Sequence, residues 1–482
     1  MSLTKKTTLG IFWNFTDQLL RRGITLATTL LLAYILSPES YGLISIIAVF
    51  TAIATGLMDS GFRQAIIRLK TVTDVDLDTA FYANLILGVI AYLLLYLSAP
   101  HISNYYQEPK LTILIKIMGL TVLIDAFQVV QQSILHRQLN FKNQLKASFP
   151  AALGSSLISI GLAILGAGVW SLVFQMLTSS LITVLILWRI SEWRPGRNFT
   201  YASLCNMYSF GYKLFLSGIL DTIFKNLYII IIAKFFTTSV AGLYFFAEKI
   251  RELILSQLVG AIQNVTYPAL SKIQDDNEKL KSGYRKIIAI TTFVLFPTLS
   301  LLAALAQPLF EILLPSKWLP AVPYLQLLCF SGFLYPLHSI NLNILKVKGR
   351  SDLFLQLEII KKILIAAMIY FTYKHNIEII LIGQILTSII SYIPNSYFSS
   401  KLINYSIKEQ IADFVPALAL SLSIGILVHY SATTIRLPPT LQLILLGGLG
   451  AAMYVISAYF LRLQACILAF SIIKAKLFHK SK

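Results

Sequence analysis

Apolar residues along this chain gather in blocks of about twenty, each closed by a short polar or charged turn. Twenty helical residues at about 1.5 Å each match the ~30 Å of hydrocarbon in a bilayer. The blocks predict about fourteen membrane-spanning helices, over residues 11–36, 41–61, 79–99, 111–135, 147–166, 169–189, 208–236, 239–263, 286–306, 319–345, 352–372, 377–398, 411–430 and 440–461. The fold class is therefore an all-α polytopic membrane protein.

The turns fall into two alternating sets. One set is mostly short, over 37–40, 101–110, 167–168, 237–238, 307–317, 373–376 and 431–439. The other is longer and charged, most of all from Tyr267 to Tyr284. No soluble catalytic domain is inserted in either. The first block runs on to Leu36 without a small-residue cleavage site, so Lys5 and Lys6 precede a retained span rather than a signal peptide.

Charge sharpens this picture. Only 13% of residues are charged, against roughly 25% in a soluble chain, and the mean hydropathy is +0.73. A formal charge of +19 raises the question of nucleic acid, which the distribution answers. Of the 40 lysines and arginines, 26 lie on the side of the charged loops, 9 lie within spans, and 5 (Lys110, Lys234, Lys317, Lys374, Arg436) lie on the other side. This is the positive-inside asymmetry, and it puts both termini in the cytosol. The basicity is topological, and no nucleic-acid partner is implied.

A weak internal repeat runs at an offset of about 200–210 residues. The turn Leu36-Ser37-Pro38-Glu39-Ser40-Tyr41-Gly42 is echoed by Phe236-Thr237-Thr238-Ser239-Val240-Ala241-Gly242. Gln175-Met176-Leu177-Thr178-Ser179 returns as Gln384-Ile385-Leu386-Thr387-Ser388, and Ser133-Ile134-Leu135-His136 resembles Asn343-Ile344-Leu345-Lys346. Six spans per unit give parallel repeats, an arrangement that commonly carries a transport site between two lobes. The expected organisation is an N-lobe over 1–190, a cytosolic linker over 191–207, a C-lobe over 208–400, and two further helices with a basic tail over 401–482.

Ionisable groups within the spans are the candidate chemistry, because each costs about 2.5–3.5 kcal/mol to insert. In the first span, Asp17 and Arg21 share a face, with Arg22 beside them; snorkelling to the headgroups is the competing account of the arginines. In the seventh, Lys213, Ser217, Asp221 and Lys225 recur every four residues as one polar stripe, with Asp221 and Lys225 near mid-span; a self-neutralising pair is the competing account. The eighth clusters Glu248, Lys249, Arg251 and Glu252, as a functional group or a structural ion-pair cluster. Glu358, Lys361 and Lys362 lie near a span end and suit snorkelling, while His338 and Asp125 suit packing roles. Over the first, seventh and eighth spans, six cations face four anions. A net-positive, desolvated lining favours an anionic substrate head such as phosphate or pyrophosphate. Arg21, Arg22, Lys213, Lys225 and Arg251 are the candidate substrate-binding residues; Asp17, Asp221 and Glu248 are the candidates for ion coupling or charge pairing.

Cys205, Cys329 and Cys466 are widely spaced, with no CxxC and no His/Cys cluster, so neither a metal site nor a disulfide framework is expected. No cofactor is expected; a coupling ion, H+ or Na+, stays open. A membrane polymerase or glycosyltransferase would need acids, bases or metal ligands in sizeable external loops, which offer only separate groups such as Glu39, His101 and Glu108.

An ordered set of short motifs carries a family resemblance. It comprises Pro38-Glu39-Ser40-Tyr41-Gly42, Asp59-Ser60-Gly61-Phe62, Ala99-Pro100, Tyr105-Tyr106, Arg137 with Phe141, Gly166-Ala167-Gly168-Val169-Trp170-Ser171-Leu172, Trp193-Arg194-Pro195, Gly242-Leu243-Tyr244 and Tyr267-Pro268-Ala269-Leu270-Ser271. On these the chain resembles the Wzx-type polysaccharide flippases of the multidrug/oligosaccharidyl-lipid/polysaccharide exporter superfamily, most closely their colanic-acid-type branch. The resemblance covers roughly the first 275 residues. It implies two six-helix lobes around a V-shaped cavity plus two flanking helices. It further implies alternating-access flipping of an undecaprenyl-pyrophosphate-linked oligosaccharide across the bacterial inner membrane, coupled to an ion gradient. Membrane lipids, a polysaccharide polymerase and export machinery are the implied partners. One position departs from the pattern: the family often has an acid shortly before the Gly-x-Tyr turn, where this chain has Tyr228, with Asp221 two turns earlier. The main alternative is a cation-coupled multidrug antiporter of the same fold, which typically favours acidic and aromatic cavity residues.

Overall fold

The computed structural model describes residues 3–271, 273–435 and 437–467. Among them the regular structure is helical throughout, and the chain divides into two compact units, Met1–Gly242 and Leu243–Lys482.

The first unit holds α1 (Leu3–Ile35), α2 (Pro38–Asp59), α3 (Phe62–Arg68), α4 (Asp74–Tyr106), α5 (Lys110–Met118), α6 (Leu120–Ala126), α7 (Val129–Arg137), α8 (Phe141–Ile164), α9 (Trp170–Ile190), α10 (Tyr201–Lys225), α11 (Leu227–Phe235) and the first residues of α12 (Thr238–Ser271). Local chemistry sets the boundaries. Pro38 opens α2 behind Ser37, whose hydroxyl accepts from the Ser40 amide, and Ser60 and Gly61 close it in the left-handed region at φ 42° and 81°. Thr73 and Asp76 form a reciprocal capping box on α4. Inside the unit α8 packs on α1 and α9, α2 packs on α4, and α10 packs on α2, α3 and α4.

The second unit holds the remainder of α12, then α13 (Asn277–Ala304), α14 (Ala306–Leu313), a 3-10 turn (Ser316–Ala321), α15 (Val322–Gly332), α16 (Tyr335–Val347), α17 (Ser351–Thr372), α18 (Ile377–Ile403), α19 (Ile407–Thr434), α20 (Pro439–Leu441) and α21 (Gly447–Phe460). Here α13 packs on α19 and α15, and α18 packs on α15, α16 and α17. A second capping box, Ser406 with Glu409, starts α19.

Nine helices among the described residues are long and apolar enough to cross a membrane, and eleven if each of two bent pairs is one span. The expected spans over 111–135 and 208–236 are those bent pairs: the chain turns by 46° between Lys110–Ala126 and Val129–Arg137, and by 43° between Phe215–Lys225 and Leu227–Phe235. Continuous helices there are thus corrected to broken ones. At the second break the Asn226 amide donates to the Thr222 carbonyl at 2.7 Å, so a side chain meets a carbonyl next to the bend. Three further helices, α1, α12 and α17, have 33, 34 and 22 residues and carry most of the charges singled out above. With them, each expected span has a helical counterpart in this multi-pass membrane protein.

Loops expected on the same side of the membrane touch one another. In the first unit Lys110 pairs with Glu39 at 3.1 Å, Thr238 donates to Glu108 at 2.9 Å, and the Lys234 ammonium donates to the Tyr105 carbonyl. At the opposite end Arg137 donates to the carbonyls of Ile66, Leu69 and Lys70, and the Gly196 amide donates to Asp78 at 2.9 Å.

Candidate functional site

The charged positions divide between the units, and each group is built from its own helices. In the first unit Asp17 projects from α1 toward α8, where Ser148 donates to its Oδ1. Asp17 is 1% exposed, and its Oδ2 has no hydrogen-bond donor among the described residues. A buried carboxylate oxygen without a donor carries a desolvation cost that its surroundings here do not offset. Arg21, one turn on, is exposed, and Arg22 is half-buried. Sharing a face in the helix has therefore not given Asp17 and Arg21 the same surroundings.

Asp221 and Lys225 both lie exposed on α10, one turn apart, and Lys225 is its last residue before the 43° bend. Both take part in interactions with other groups. The side chain of Lys213, on the same expected stripe, lies outside the described residues. Tyr228, at the position where the family pattern often has an acid, is buried.

In the second unit Arg251 pairs with Glu248 on α12 and donates to Ser331 Oγ of α15 at 2.9 Å. The Arg251 side chain is only 11% exposed, so this is a desolvated pair with a hydrogen bond to a second helix. Packing there is close: a methyl group at Gly332 would lie 3.1 Å from Leu255 Cδ1 and 3.7 Å from Arg251 Cδ. Lys249, beside them, sits 5.9 Å from the centre of the Phe245 ring. Glu358 and Lys361 pair at 2.9 Å within α17.

A buried polar network in the second unit escaped sequence reasoning. Tyr284 and Ser399 both donate to Asn341 Oδ1, and Tyr392 donates to Gln410 at 3.0 Å. His338, expected to have a packing role, is bonded through both ring nitrogens, to Asn395 at 2.8 Å and to the Ser388 carbonyl at 3.1 Å. A signal was present: Tyr392, Asn395, Ser396 and Ser399 recur at helical spacing along one face of α18, and all are buried. Among the described residues no group of three or more His, Cys, Asp or Glu could hold a metal ion.

The residues that carried the resemblance mostly build joints. Tyr41 donates to the Thr29 carbonyl at 2.8 Å, linking α2 to α1. Arg194 donates to the carbonyls of Trp188, Ser191 and Trp193 and closes the end of α9. A methyl group at Gly61 would fall 2.5 Å from the Gly211 carbonyl oxygen, so α10 rests directly on the turn after α2.

Comparison with known proteins places this architecture. The family described as "Polysaccharide biosynthesis protein" matches residues 31–323. The chain is 26% identical over 443 residues to the lipopolysaccharide biosynthesis protein WzxC of Escherichia coli (strain K12), covering 89% of both chains. It is also 26% identical to the teichuronic acid biosynthesis protein TuaB of Bacillus subtilis (strain 168), over 73% of both chains. The succinoglycan biosynthesis transport protein ExoT of Rhizobium meliloti (strain 1021) is 26% identical, over 69% of this chain and 67% of its own. Among solved structures, the inward closed lipid II flippase MurJ superposes with a TM-score of 0.72 at 16% identity, over 94% of this chain and 99% of its own. An inward-facing multidrug resistance MATE transporter superposes with a TM-score of 0.60 at 18% identity, over 82% of this chain and 99% of its own. At those identities the two structures establish a shared fold.

Proposed function

The chain belongs to the polysaccharide biosynthesis protein family, and from that membership we propose that it is a flippase for lipid-linked oligosaccharides. The carrying observation is the near full-length similarity to a lipopolysaccharide biosynthesis protein in a chain made almost wholly of membrane helices. With so little polypeptide outside the bilayer, its part in making a polysaccharide falls on passage through the membrane rather than on bond-making.

The substrate we assign is an undecaprenyl-pyrophosphate-linked repeat unit, moved from the cytosolic to the periplasmic leaflet of the bacterial inner membrane by alternating access. The 26-to-5 distribution of basic residues supports cytosolic termini. The repeat supports two six-span lobes over 1–190 and 208–400, joined by 191–207 and followed by 401–482. Arg21, Arg22, Lys213, Lys225 and Arg251 supply positive charge for a pyrophosphate, and arginine's fork suits its oxygens. Asp17 is assigned to ion coupling or charge pairing as a buried carboxylate whose Oδ2 has no hydrogen-bond partner among the described residues. Asp221 and Glu248 are assigned to coupling or charge pairing on sequence position and on the Glu248–Arg251 pair.

The test is reconstitution of the purified full chain in proteoliposomes loaded on the inner leaflet with a pyrophosphate-linked polyprenyl oligosaccharide. Appearance of the glycan to an external glycosidase, above protein-free vesicles, is the expected result. No gain with any lipid-linked oligosaccharide, alongside export of a cationic dye from the same vesicles, would replace this reading with the multidrug antiporter.

A further inference from the structure

We infer that the second unit carries a site for the phosphate of an anionic phospholipid, in a cleft at the membrane boundary separate from the charged groups above. The cleft has a volume of about 620 Å³ and is lined by the start of α13, the end of α18 and the segment after α21. Its cations are Lys281, Arg285 and Lys286; Glu278 is the carboxylate in its wall, and Ile467, which is exposed, supplies apolar surface beside the buried Ile403.

The position follows from the sequence. Residues 287–304 of α13 contain no charged side chain, whereas the turns before them carry Lys279, Lys281, Arg285 and Lys286. The cleft therefore opens where apolar helix gives way to polar helix ends, the level occupied by lipid headgroups. Its mix of cations and exposed isoleucine suits a molecule with an anionic head on an apolar tail.

Two of the cations are already held in place without being used up. Lys281 donates to the Asn404 carbonyl at 2.7 Å and to Glu409 at 2.9 Å, leaving one of three ammonium hydrogens. Arg285 donates through Nε and Nη2 to Asp413 at 2.7 and 2.6 Å, leaving three of five guanidinium hydrogens. Each pair is close to neutral as a unit, so what Lys281 and Arg285 offer a phosphate is their spare N–H donors. The pairs also fix both cationic groups in advance, so binding orders little that is mobile. Lys286 is exposed at the rim and forms no ion pair among the described residues. The spare donors, fixed cations and apolar wall together match a phosphodiester carrying acyl chains.

The experiment uses the full chain in detergent, titrated with dioleoyl-phosphatidylglycerol or with dioleoyl-phosphatidylcholine, and read by native mass spectrometry. Inorganic phosphate is the competitor, and Ser282→Glu, Lys286→Glu and Lys279→Glu are the variants. Ser282 and Lys286 line the cleft, whereas Lys279 lies outside its lining and pairs with Asp276. The expected result is preferential retention of phosphatidylglycerol, weakened about fivefold or more by either cleft variant and little changed by Lys279→Glu. Each variant is compared at an unchanged melting temperature without added lipid; where one melts early, Lys286→Gln replaces it. Equal retention of the two lipids, or equal weakening by all three variants, would overturn the site. Displacement by millimolar inorganic phosphate would overturn the lipid assignment in favour of a soluble phosphate.

Discussion

Gly42 and Gly242 lie back to back, each against the backbone that leads to the other. A methyl group at Gly42 would fall 1.8 Å from the Thr238 carbonyl oxygen, and one at Gly242 would fall 1.8 Å from that of Pro38. The relation is reciprocal at an offset of 200 residues, the spacing of the internal repeat. Small residues that let two helices meet backbone to backbone are a general device of membrane packing.

Alanine at either position has no flexible neighbour to displace, because the obstructing atoms are main chain. Gly42→Ala and Gly242→Ala should each destabilise the protein by about 1–3 kcal/mol or more, seen as a lower melting temperature in detergent. Gly218→Ala, where a methyl group meets nothing within 4 Å, is the control. Parental melting of both test variants would disprove the close contact.

Sidedness has its own test. Cysteines replacing Lys110 and Lys317 should react with an impermeant maleimide from the periplasmic face, and those replacing Lys142 and Lys279 only after permeabilisation. The loop contacts described above put Lys110 with Glu39 at one end of the first unit. The labelling pattern decides which way that end faces, and reversal at two of the four positions would refute the cytosolic termini.

Glu248 and Arg251 form a desolvated pair anchored to Ser331. Glu248→Gln and Arg251→Gln should each destabilise the protein by about 1–3 kcal/mol through loss of a charge-assisted hydrogen bond, with the double variant recovering part of the loss. Melting temperatures at matched detergent check this. Glycan flipping by a folded double variant at the parental rate would remove both residues from the transport site.

The apolar spans were legible because hydrocarbon leaves a chain little choice: each crossing needs about twenty apolar residues. Breaks within spans were not legible. Pro100, Pro150, Pro297, Pro394 and Pro416 lie inside helices, while one break falls at Asn226, which neither proline nor glycine marks. The candidate charges could be found by type, since ionisable residues stand out among apolar ones, but not their partners. Asp17 meets Ser148 across 131 residues, and Arg251 meets Ser331 across 80. Helical spacing alone put Asp17 and Arg21 together, whereas packing of α8 on α1 buries the first and leaves the second exposed.

Arg21 offers a direct test of substrate contact. It is exposed in the structure, so Arg21→Ala should leave the melting temperature unchanged. Flipping should nevertheless fall, by about tenfold for loss of a charge-assisted phosphate contact. Arg21→Lys should recover only part of that, since lysine lacks the bidentate fork. Full flipping by the alanine variant would leave snorkelling to the headgroups as the role of Arg21.

Asp221 and Lys225 present the sharpest choice between structure and transport. They lie one turn apart on an exposed face, and α10 ends at Lys225, where the chain bends by 43°. A purely structural pair makes a definite demand: removing either charge is harmful, and removing both restores function because no uncompensated charge is left. A transport role demands the opposite. Lys225 would meet the substrate phosphate, and Asp221 would take up the coupling ion or release the lysine, so the double variant should be no better than the worse single one. The measurement is a cycle of Asp221→Asn, Lys225→Gln and the double variant, scored by glycan flipping at matched protein density, with melting temperatures alongside. We expect melting temperatures to stay near the parental value in all three, because both side chains are exposed. Flipping should be lost in Lys225→Gln and in the double variant alike. A double variant that flips at the parental rate would make the pair a local neutralisation and move the substrate contact off this helix.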